Sequence, residues 1–272
     1  LAGKFLDPYA PEKVILISGI ISVVAIAITS LALYRLEGVD LENKIINTNQ
    51  KVPFKTALKE ILTDPDTKRF TIFIFLSMLA FSAQDLILEP FAGIIFKYTL
   101  GETTSLSGIQ HSGVLTGMLL VAVCGSSRLR RFFGSLRSWM IYGCLASALA
   151  MFGLVIAGIL EGEWPLRLNV FILGLANGAF SIAAIASMMR LAVVGGSGKE
   201  GVRIGLWGGA QAIAFGLGGL LGAAASDLAR SLFANAAWAY ASVFFLEAIL
   251  FVASAYMASL VERKSSNEIK VG

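Results

Sequence analysis

The segment "WMIYGCLASALAMFGLVIAGIL", residues 139–160, is 22 residues long and contains no charged side chain. An apolar run of about 18 residues or more is long enough to cross the hydrocarbon layer of a bilayer as an α-helix. Comparable runs occur at residues 14–34, 70–96, 106–124, 168–188, 204–225 and 238–260. The sequence therefore predicts an all-α membrane protein with about seven transmembrane helices.

The composition agrees with a membrane protein. Hydrophobic residues make up 56% of the chain and charged residues only 15%, against about 25% charged residues in soluble domains. Of the 22 basic residues, 17 fall on one side of the predicted topology, and such an excess marks the cytoplasmic side. We therefore expect the N-terminus of this chain outside or in the lumen and its C-terminus in the cytoplasm. The net charge of +4 reflects this topology, so membrane lipids are expected partners and nucleic acids are not.

The order of segments predicts the domain organisation. Residues 1–34 correspond to the last helix of an N-terminal half, residues 35–69 to a cytoplasmic linker loop, and residues 70–272 to a C-terminal six-helix bundle. The linker contains "FKTALKEIL", residues 54–62, whose apolar spacing predicts a short interfacial helix. One helix, a long charged loop and six helices match the last part of a twelve-helix, major facilitator-type bundle.

Glycines recur at four-residue intervals, which predicts close contacts between helix backbones. The pairs and the longer series are Gly113/Gly117, Gly174/Gly178, Gly218/Gly222 and Gly201/Gly205/Gly209. The segment "VVGGSGKEG", residues 193–201, lacks the Gly-Lys-Ser/Thr order of a phosphate-binding loop, so nucleotide binding is excluded. Cys124 and Cys144 are predicted to be unpaired, small apolar packing residues.

Scarce polar residues are concentrated between residues 81 and 113. Asp85 and Glu89 are four residues apart and therefore share a helix face, with Gln84 on its edge. Because Pro90 disfavours helical geometry at Glu89, we expect the helix to kink or end there and residues 91–100 to form a broken or surface segment. Glu102, Thr103 and Thr104 are then predicted to form a polar turn that caps the next helix, and His111 to lie about one and a half turns into that helix.

An ionisable residue inside a membrane span is costly and points to function. The acids could instead lie at a hydrated membrane edge, and His111 could be a hydrogen-bonded packing residue. The functional alternative is a coordination site for a metal or a magnesium macrocycle, in which imidazole, carboxylate or amide groups are ligands. The sequence contains no HExxH motif, no Cys/His cluster and no Ser-His-acid set, so we predict neither a dedicated metal site nor an enzyme.

Four segments resemble the PucC/LhaA family. "QDLILEPFAG", residues 84–93, and "LGETTSLSG", residues 100–108, are similar to its Gln-Asp-x-x-Leu-Glu-Pro motif and the Gly-Glu-Thr-Thr turn that follows it. "GVRIGLWGGAQAIAFGLGGLLGAAASD", residues 201–227, is similar to a second family block, and "FLDPYAPEKVI", residues 5–15, to the entry of its sixth helix. The first motif matches at Gln84, Asp85, Leu88, Glu89, Pro90, Phe91, Ala92 and Gly93, and the turn at Gly101, Glu102, Thr103 and Thr104. The second block matches at Gly201, Gly205, Trp207, Gly208, Gln211 and Asp227.

The resemblance implies a major facilitator fold and a role in delivering chlorophyll or bacteriochlorophyll to light-harvesting or photosystem complexes. It implies a photosynthetic membrane (thylakoid, cytoplasmic or intracytoplasmic), with complex subunits and pigment-synthesis proteins as partners and a carotenoid as a further possible pigment. The expected cargo residues are Gln84, Asp85, Glu89, Glu102 and His111, although the family motif does not itself assign His111. Two alternatives remain open: a proton-coupled small-solute transporter, and a structural scaffold of a photosynthetic complex.

Overall fold

A computed structural model describes residues 10–33, 63–125, 134–160, 163–194 and 200–261 of the 272-residue chain. Within these ranges the chain forms seven α-helices and no strand. They are α1 (Pro11–Leu33), α2 (Pro65–Ile95), α3 (Leu100–Cys124), α4 (Leu136–Ile159), α5 (Leu166–Val194), α6 (Glu200–Leu232) and α7 (Ala236–Leu260). All seven are long and apolar enough to cross a membrane. The predicted all-α fold with about seven spans is confirmed, whereas the interfacial helix predicted at residues 54–62 lies outside the described residues.

Side-chain caps fix several helix starts. Asp64 accepts a hydrogen bond from the backbone N–H of Thr67 at 3.2 Å, and Pro65 occupies the first turn of α2. Such caps satisfy backbone N–H groups that have no partner within the helix. Between α2 and α3, Lys97 has a φ of 58°, a left-handed conformation that few non-glycine residues adopt. This residue lies in the short turn between Phe96, which caps the end of α2, and the start of α3.

Helices α2 to α7 pack into one bundle. The most extensive contacts join α3 to α5, α4 to α7, and α2 to α6, while α4 also packs against α5 and α7 against α2. The core is rich in aromatic and small side chains, including Phe91, Phe180, Phe244 and Phe251, which are all fully buried. Helix α1, in contrast, has no buried residue.

All three predicted glycine pairs lie at close helix contacts. A side chain at Gly113 or Gly117 of α3 would collide with backbone atoms of α5, and one at Gly174 or Gly178 of α5 would collide with α3. Gly218 and Gly222 of α6 lie close to α2, Gly218 against Leu79 and Ser82 and Gly222 less tightly against Ala83. These glycines let the helix backbones approach each other where lipid provides no hydrophobic drive for association.

The longer glycine series, Gly201/Gly205/Gly209, does not pack as predicted. A side chain at Gly201, Gly205 or Gly209 would meet no other atom of the described chain within 4 Å. These glycines line an open apolar groove of about 650 Å³ between α6 and α2, together with Thr71, Ile72 and Phe75. The helices touch through Gly218 and Gly222 and, nearer the start of α6, through Trp207 and Phe70, while Gly201, Gly205 and Gly209 lie on the open side of α6. Four-residue spacing alone therefore did not distinguish a contact from a groove.

Three helix boundaries differ from the expected ones. Helix α2 continues through Pro90 to Ile95, so it does not end at Glu89, and residues 91–95 are helical as part of the apolar run predicted at residues 70–96. Its start at Pro65 overlaps the end of the predicted linker at residues 35–69, and the cytoplasmic location of that linker stays a prediction. Helix α3 begins at Leu100 rather than at residue 106, which places His111 about three turns into the helix. The two cysteines are unpaired, as expected, and Cys144 is buried.

Arginines bind the C-terminal end of α7. Arg69, in α2, donates to the carbonyl of Leu260 at 3.4 Å, and Arg137, in α4, donates to the carbonyl of Ser259. Cations are favoured at helix C-termini, where carbonyl groups lack partners within the helix. These bonds connect three helices at the end of the bundle that we predict to be cytoplasmic.

The two classes of glycine predict opposite outcomes for the same substitution. Gly178→Ala places a methyl group against the carbonyl of Val114 and should destabilise the bundle by at least about 1–3 kcal/mol, the usual cost of overpacking. Gly205→Ala is the matched control, because its methyl group enters open space and alanine favours a helix by about 1 kcal/mol over glycine. Thermal unfolding in detergent should therefore show a lower midpoint for Gly178→Ala and an unchanged or higher one for Gly205→Ala. Equal midpoints would contradict this assignment of the glycines.

Candidate functional site

Polar side chains meet along one open side of the bundle, between α2 and α3. We call this site the polar edge and define it by Asp85 and Glu89 of α2 and Ser107, Gln110 and His111 of α3. Asp85 and Glu89 are both exposed and lie one helical turn apart. Their shared face agrees with the prediction from their spacing.

Two hydrogen bonds connect the helices at this edge. Gln110 donates from Nε2 to Oδ1 of Asp85 at 3.3 Å, and Ser107 donates from Oγ to Oε1 of Glu89 at 2.8 Å. Gln110 is only 2% exposed, so Asp85 is held by a fixed, buried amide. Each carboxylate has a second oxygen, and a carboxylate can accept several hydrogen bonds. The two acids are therefore positioned by α3 and still able to bind another group.

His111 is oriented by the helix that carries it. Its Nδ1 lies 2.8 Å from the backbone carbonyl oxygen of Ser107. A carbonyl oxygen only accepts hydrogen bonds, so this contact requires the proton on Nδ1, which leaves Nε2 of the neutral ring with a free lone pair. The side chain is exposed and lies 11 residues from the start of α3. Eleven residues of helix rise about 16 Å, or roughly half the thickness of the hydrocarbon layer.

Gln84 does not belong to the polar edge, contrary to the prediction. Its side chain is 0% exposed, and neither its amide oxygen nor its amide nitrogen has a hydrogen-bond partner in the described chain. The reason is the 100° rotation between successive residues of a helix, which turns Asp85 outwards and Gln84 into the bundle. Of the Gln-Asp pair in the sequence motif, Gln84 therefore faces the interior of the bundle and Asp85 its exposed side.

Glu102 is also separate from the polar edge, because its carboxylate completes a helix cap. It accepts from the backbone N–H of Thr99 at 3.0 Å, while the Thr99 hydroxyl accepts from the N–H of Glu102 at 3.3 Å. This reciprocal pair is a capping box, and a distant ion pair with Arg167 at 4.0 Å adds little. Thr103 and Thr104 lie within α3 and donate to the carbonyl of Leu100, so the predicted polar turn is in fact the first turn of a helix.

The motif residues of the second sequence block lie away from the polar edge. Trp207 is fully buried and makes an edge contact with Phe70, with ring centres 5.1 Å apart. Gly208 faces open space, as Gly201 and Gly205 do. Gln211 is half-buried, Asp227 is exposed and Gly101 is buried in the first turn of α3. None of these residues takes part in a hydrogen bond of the polar edge.

The polar edge can provide a single strong metal-binding nitrogen, flanked by carboxylates. No group of three or more His, Cys, Asp or Glu side chains in the described ranges could enclose a metal ion. A metal that brings its own equatorial ligands needs only one axial ligand from the protein. The arrangement therefore suits a metal already held in a ring better than a free ion.

Two residues of the edge, Ser107 and Gln110, were missed from the sequence. Both lie one helical turn or less from His111, on the side that faces α2. Alignment of the acids at residues 85 and 89 with polar residues at 110 and 107 in an antiparallel neighbour could have revealed them. The expected start of α3 at residue 106, however, put Ser107 in the first turn of the helix rather than two turns into it, so its position opposite Glu89 was not recognised.

Comparison with known proteins identifies relatives along the whole chain. A family model described as PUCC protein matches residues 1–266. A Rhodobacter capsulatus protein named bacteriochlorophyll synthase 44.5 kDa chain is 45% identical over 263 residues, which cover 94% of this chain and 58% of that relative. Proteins named PucC are 26% identical in Rhodobacter capsulatus (96% of this chain, 56% of the relative) and 30% identical in Cereibacter sphaeroides (79% and 45%). The chain thus spans about half the length of these relatives, and no solved structure matches it.

The capping role of Glu102 is directly testable. Glu102→Ala removes the bond to Thr99 and should lower stability by about 1 kcal/mol, as loss of a cap does, whereas Glu102→Gln keeps an acceptor of the capping-box type. Thermal unfolding of both variants checks this, with Glu163→Ala as a control for removal of an exposed acid. If Glu102→Gln unfolded normally but lost cargo binding, the carboxylate would belong to the cargo site after all.

Proposed function

Because the chain belongs to the PUCC protein family, we propose that it is a membrane-embedded assembly factor that binds bacteriochlorophyll or chlorophyll and delivers it to light-harvesting or photosystem complexes. The polar edge is the cargo site. The observation that carries this proposal is the free Nε2 of His111, an exposed imidazole about halfway along a membrane-spanning helix.

The chemistry of the pigment fits this side of the bundle. A chlorophyll is a flat apolar ring with a lipid tail, so it approaches from the bilayer rather than from water. Its magnesium has four ring nitrogens and takes one more nitrogen or oxygen ligand from the protein. Histidine is the commonest metal ligand in proteins, and its hydrogen bond to a backbone carbonyl through the other nitrogen fixes the ring in the required tautomer.

The carboxylates have a supporting role in this proposal. Asp85 and Glu89 retain acceptor capacity beyond their bonds to Gln110 and Ser107, so they can bind polar substituents at the rim of the ring or a water molecule on the magnesium. Gln84 and Glu102 are assigned elsewhere, since one is buried in the bundle and the other caps α3. A carotenoid contains no metal, so the imidazole of His111 could not bind it as a ligand.

A non-catalytic role is proposed although one relative is named as a synthase subunit. The hydroxyl of Ser107 is bound to Glu89, whereas His111 bonds to the backbone of Ser107 and not to its hydroxyl. This differs from a nucleophile–histidine–acid arrangement, in which the histidine accepts the hydroxyl proton. The described polar groups are thus better suited to binding than to covalent chemistry.

The proposal extends to the organisation of the protein in its membrane. We assign α1 to the end of an N-terminal half and α2 to α7 to the C-terminal half of a major facilitator-type bundle. The membrane is a photosynthetic one, and the start of α2 and the end of α7 face the cytoplasm. Light-harvesting or photosystem subunits receive the pigment, and pigment-synthesis proteins supply it.

His111→Ala should reduce the pigment retained by the purified protein at least about tenfold, because loss of metal-site groups typically costs 10–100-fold in affinity. The absorption spectrum of gently purified protein measures this directly. Ser112→Ala is the matched control, since Ser112 is the next residue, is equally exposed and bonds only within α3.

Added imidazole separates ligation from packing. If His111 is the axial ligand, imidazole supplied to His111→Ala should restore part of the bound pigment, because it replaces the missing nitrogen. Unchanged pigment content in His111→Ala, at a normal protein level, would overturn the cargo-site assignment.

Asp85 distinguishes pigment binding from proton-coupled transport. Asp85→Asn keeps the side-chain size and an acceptor oxygen, whereas Asp85→Leu removes both. A hydrogen-bonding role predicts partial accumulation of pigment-protein complexes in cells with Asn and strong loss with Leu. A proton-carrying role predicts equal loss in both, because an amide does not take up and release a proton in this range. Normal accumulation with Leu would remove Asp85 from both roles.

A further inference from the structure

A second polar site lies inside the bundle, away from the polar edge. Glu247, near the middle of α7, is 2% exposed, and Gln84, in α2, is 0% exposed. Neither carboxylate oxygen of Glu247 and neither amide atom of Gln84 has a hydrogen-bond partner in the described residues. Buried polar atoms almost always have a partner, so two such side chains in one interface require an explanation.

The register of α2 and α7 places the two residues at the same depth. Near one end, the ring of Phe91 lies 5.6 Å from Tyr240 and 4.9 Å from Phe244. Near the other end, Arg69 bonds to the carbonyl of Leu260. The helices are therefore antiparallel, and counting along α2 from either contact brings Gln84 level with residues 245–249 of α7. Glu247 lies at the centre of that range.

The helical repeat also points the two side chains towards each other. Residues seven apart lie within about 20° of the same direction, because two turns contain 7.2 residues. Gln84 is seven residues before Phe91, and Glu247 is seven residues after Tyr240. Since the rings of Phe91 and Tyr240 are in contact, we infer that Gln84 and Glu247 lie on the faces of α2 and α7 that meet, about two helical turns further into the bundle.

The surroundings of Glu247 are apolar or neutral. One turn from it, Phe251 packs on Phe180 of α5, with ring centres 5.8 Å apart. Close to the same level, Ser147 of α4 donates to Asn177 of α5 at 2.7 Å, and the Asn177 amide nitrogen has no partner among the described residues. The interior at this depth is thus a layer of neutral hydrogen-bonding groups between aromatic rings.

No cation lies beside Glu247 in the described chain. Of the ionisable groups on the helices that contact α7, Asp85 and Glu89 are on the exposed side of α2, and Cys144 is buried in α4. The others are near the ends of the helices: Asp66, Lys68, Arg69, Arg137, Tyr142, Glu200, Arg203, Asp227 and Arg230. Arg203 is buried, but it lies in the first turn of α6, one turn before the Trp207 that contacts Phe70 near the start of α2, whereas Glu247 is level with Gln84. An ionised carboxylate in this position would be a buried charge without a counter-ion, which is strongly unfavourable.

We propose that Glu247 and Gln84 form a proton-binding site that holds α2 and α7 together. While the helices are packed, Glu247 carries a proton and donates it in a hydrogen bond to the amide oxygen of Gln84. Release of the proton to water leaves a carboxylate that is stable only when hydrated, so it requires α2 and α7 to separate. The ligand of this site is the proton itself.

The site also connects to the polar edge through the backbone of α2. Gln84 and Asp85 are consecutive, so a rotation or tilt of α2 that follows proton release moves Asp85 relative to Gln110. This connection rests on the proposed function of the polar edge, but the proton site does not. Its tests therefore measure protonation and helix packing without any pigment.

Infrared spectroscopy of the purified protein detects the proton directly. Wild-type protein at neutral pH should show the C=O band of a protonated carboxylic acid, and Glu247→Gln should lack it. Glu89→Gln is the matched control and should keep it, because Glu89 is exposed. Gln84→Leu should shift the band to higher frequency, since the acid loses its acceptor. Absence of the band in the wild type, or its persistence in Glu247→Gln, would overturn the proposal that Glu247 carries a proton. An unshifted band in Gln84→Leu would show that Gln84 does not accept the hydrogen bond.

The pH dependence of packing provides a second test. The packed bundle binds one proton more than the opened bundle, so raising the pH favours opening and lowering it favours packing. Hydrogen exchange of α2 and α7 peptides, corrected for the intrinsic pH effect, should increase from mildly acidic to mildly alkaline buffer in the wild type. In Glu247→Gln it should remain low throughout, because the amide is neutral and can still donate to Gln84. Equal pH dependence in the two proteins would overturn the proposal.

Discussion

The hydrocarbon layer of a membrane contains no water, so every polar group within it needs a partner from the protein. This constraint accounts for the continuous helices of the chain. At the helix ends, where backbone groups have no partner within the helix, the Thr99–Glu102 capping box serves the start of α3 and two arginines bind the last carbonyls of α7. Polar groups that lie at mid-depth, or that have no partner among the described residues, are therefore the candidates for a binding function.

Helix α2 separates these groups into two environments. Asp85 and Glu89 face outwards and are held by Gln110 and Ser107, whereas Gln84 faces inwards and is opposed by Glu247. Glycine contacts on another side of the helix, at Gly218 and Gly222 of α6, fix its rotation. A small change in that rotation would expose Gln84 or bury Asp85, so the close packing of α6 determines which surface each polar residue serves.

The sequence predicted the parts of the fold that depend on local composition. Span number, helix type and the shared face of Asp85 and Glu89 follow from apolar length and helical repeat, and the structure agrees with all three. The sequence could not predict that Gly201 and Gly205 line a groove, because glycines with the same four-residue spacing occur both at helix contacts and beside open space. Pro90 does not end the helix, which continues past it to Ile95. Glu247, a lone acid in an otherwise apolar span, was the clearest available signal, yet its burial depends on the rotation of α7 against α2.

The amide at position 84 determines what an acid at position 247 can do. An arginine or lysine there would stabilise the ionised carboxylate and make a permanent ion pair. A leucine would leave the protonated acid without an acceptor, at the cost of an unsatisfied buried donor. Glutamine avoids both outcomes, because its oxygen accepts from the neutral acid, while its dipole compensates a full charge far less than a cation would. The pair is therefore stable in only one protonation state, and the packing of α2 on α7 depends on a proton that can leave.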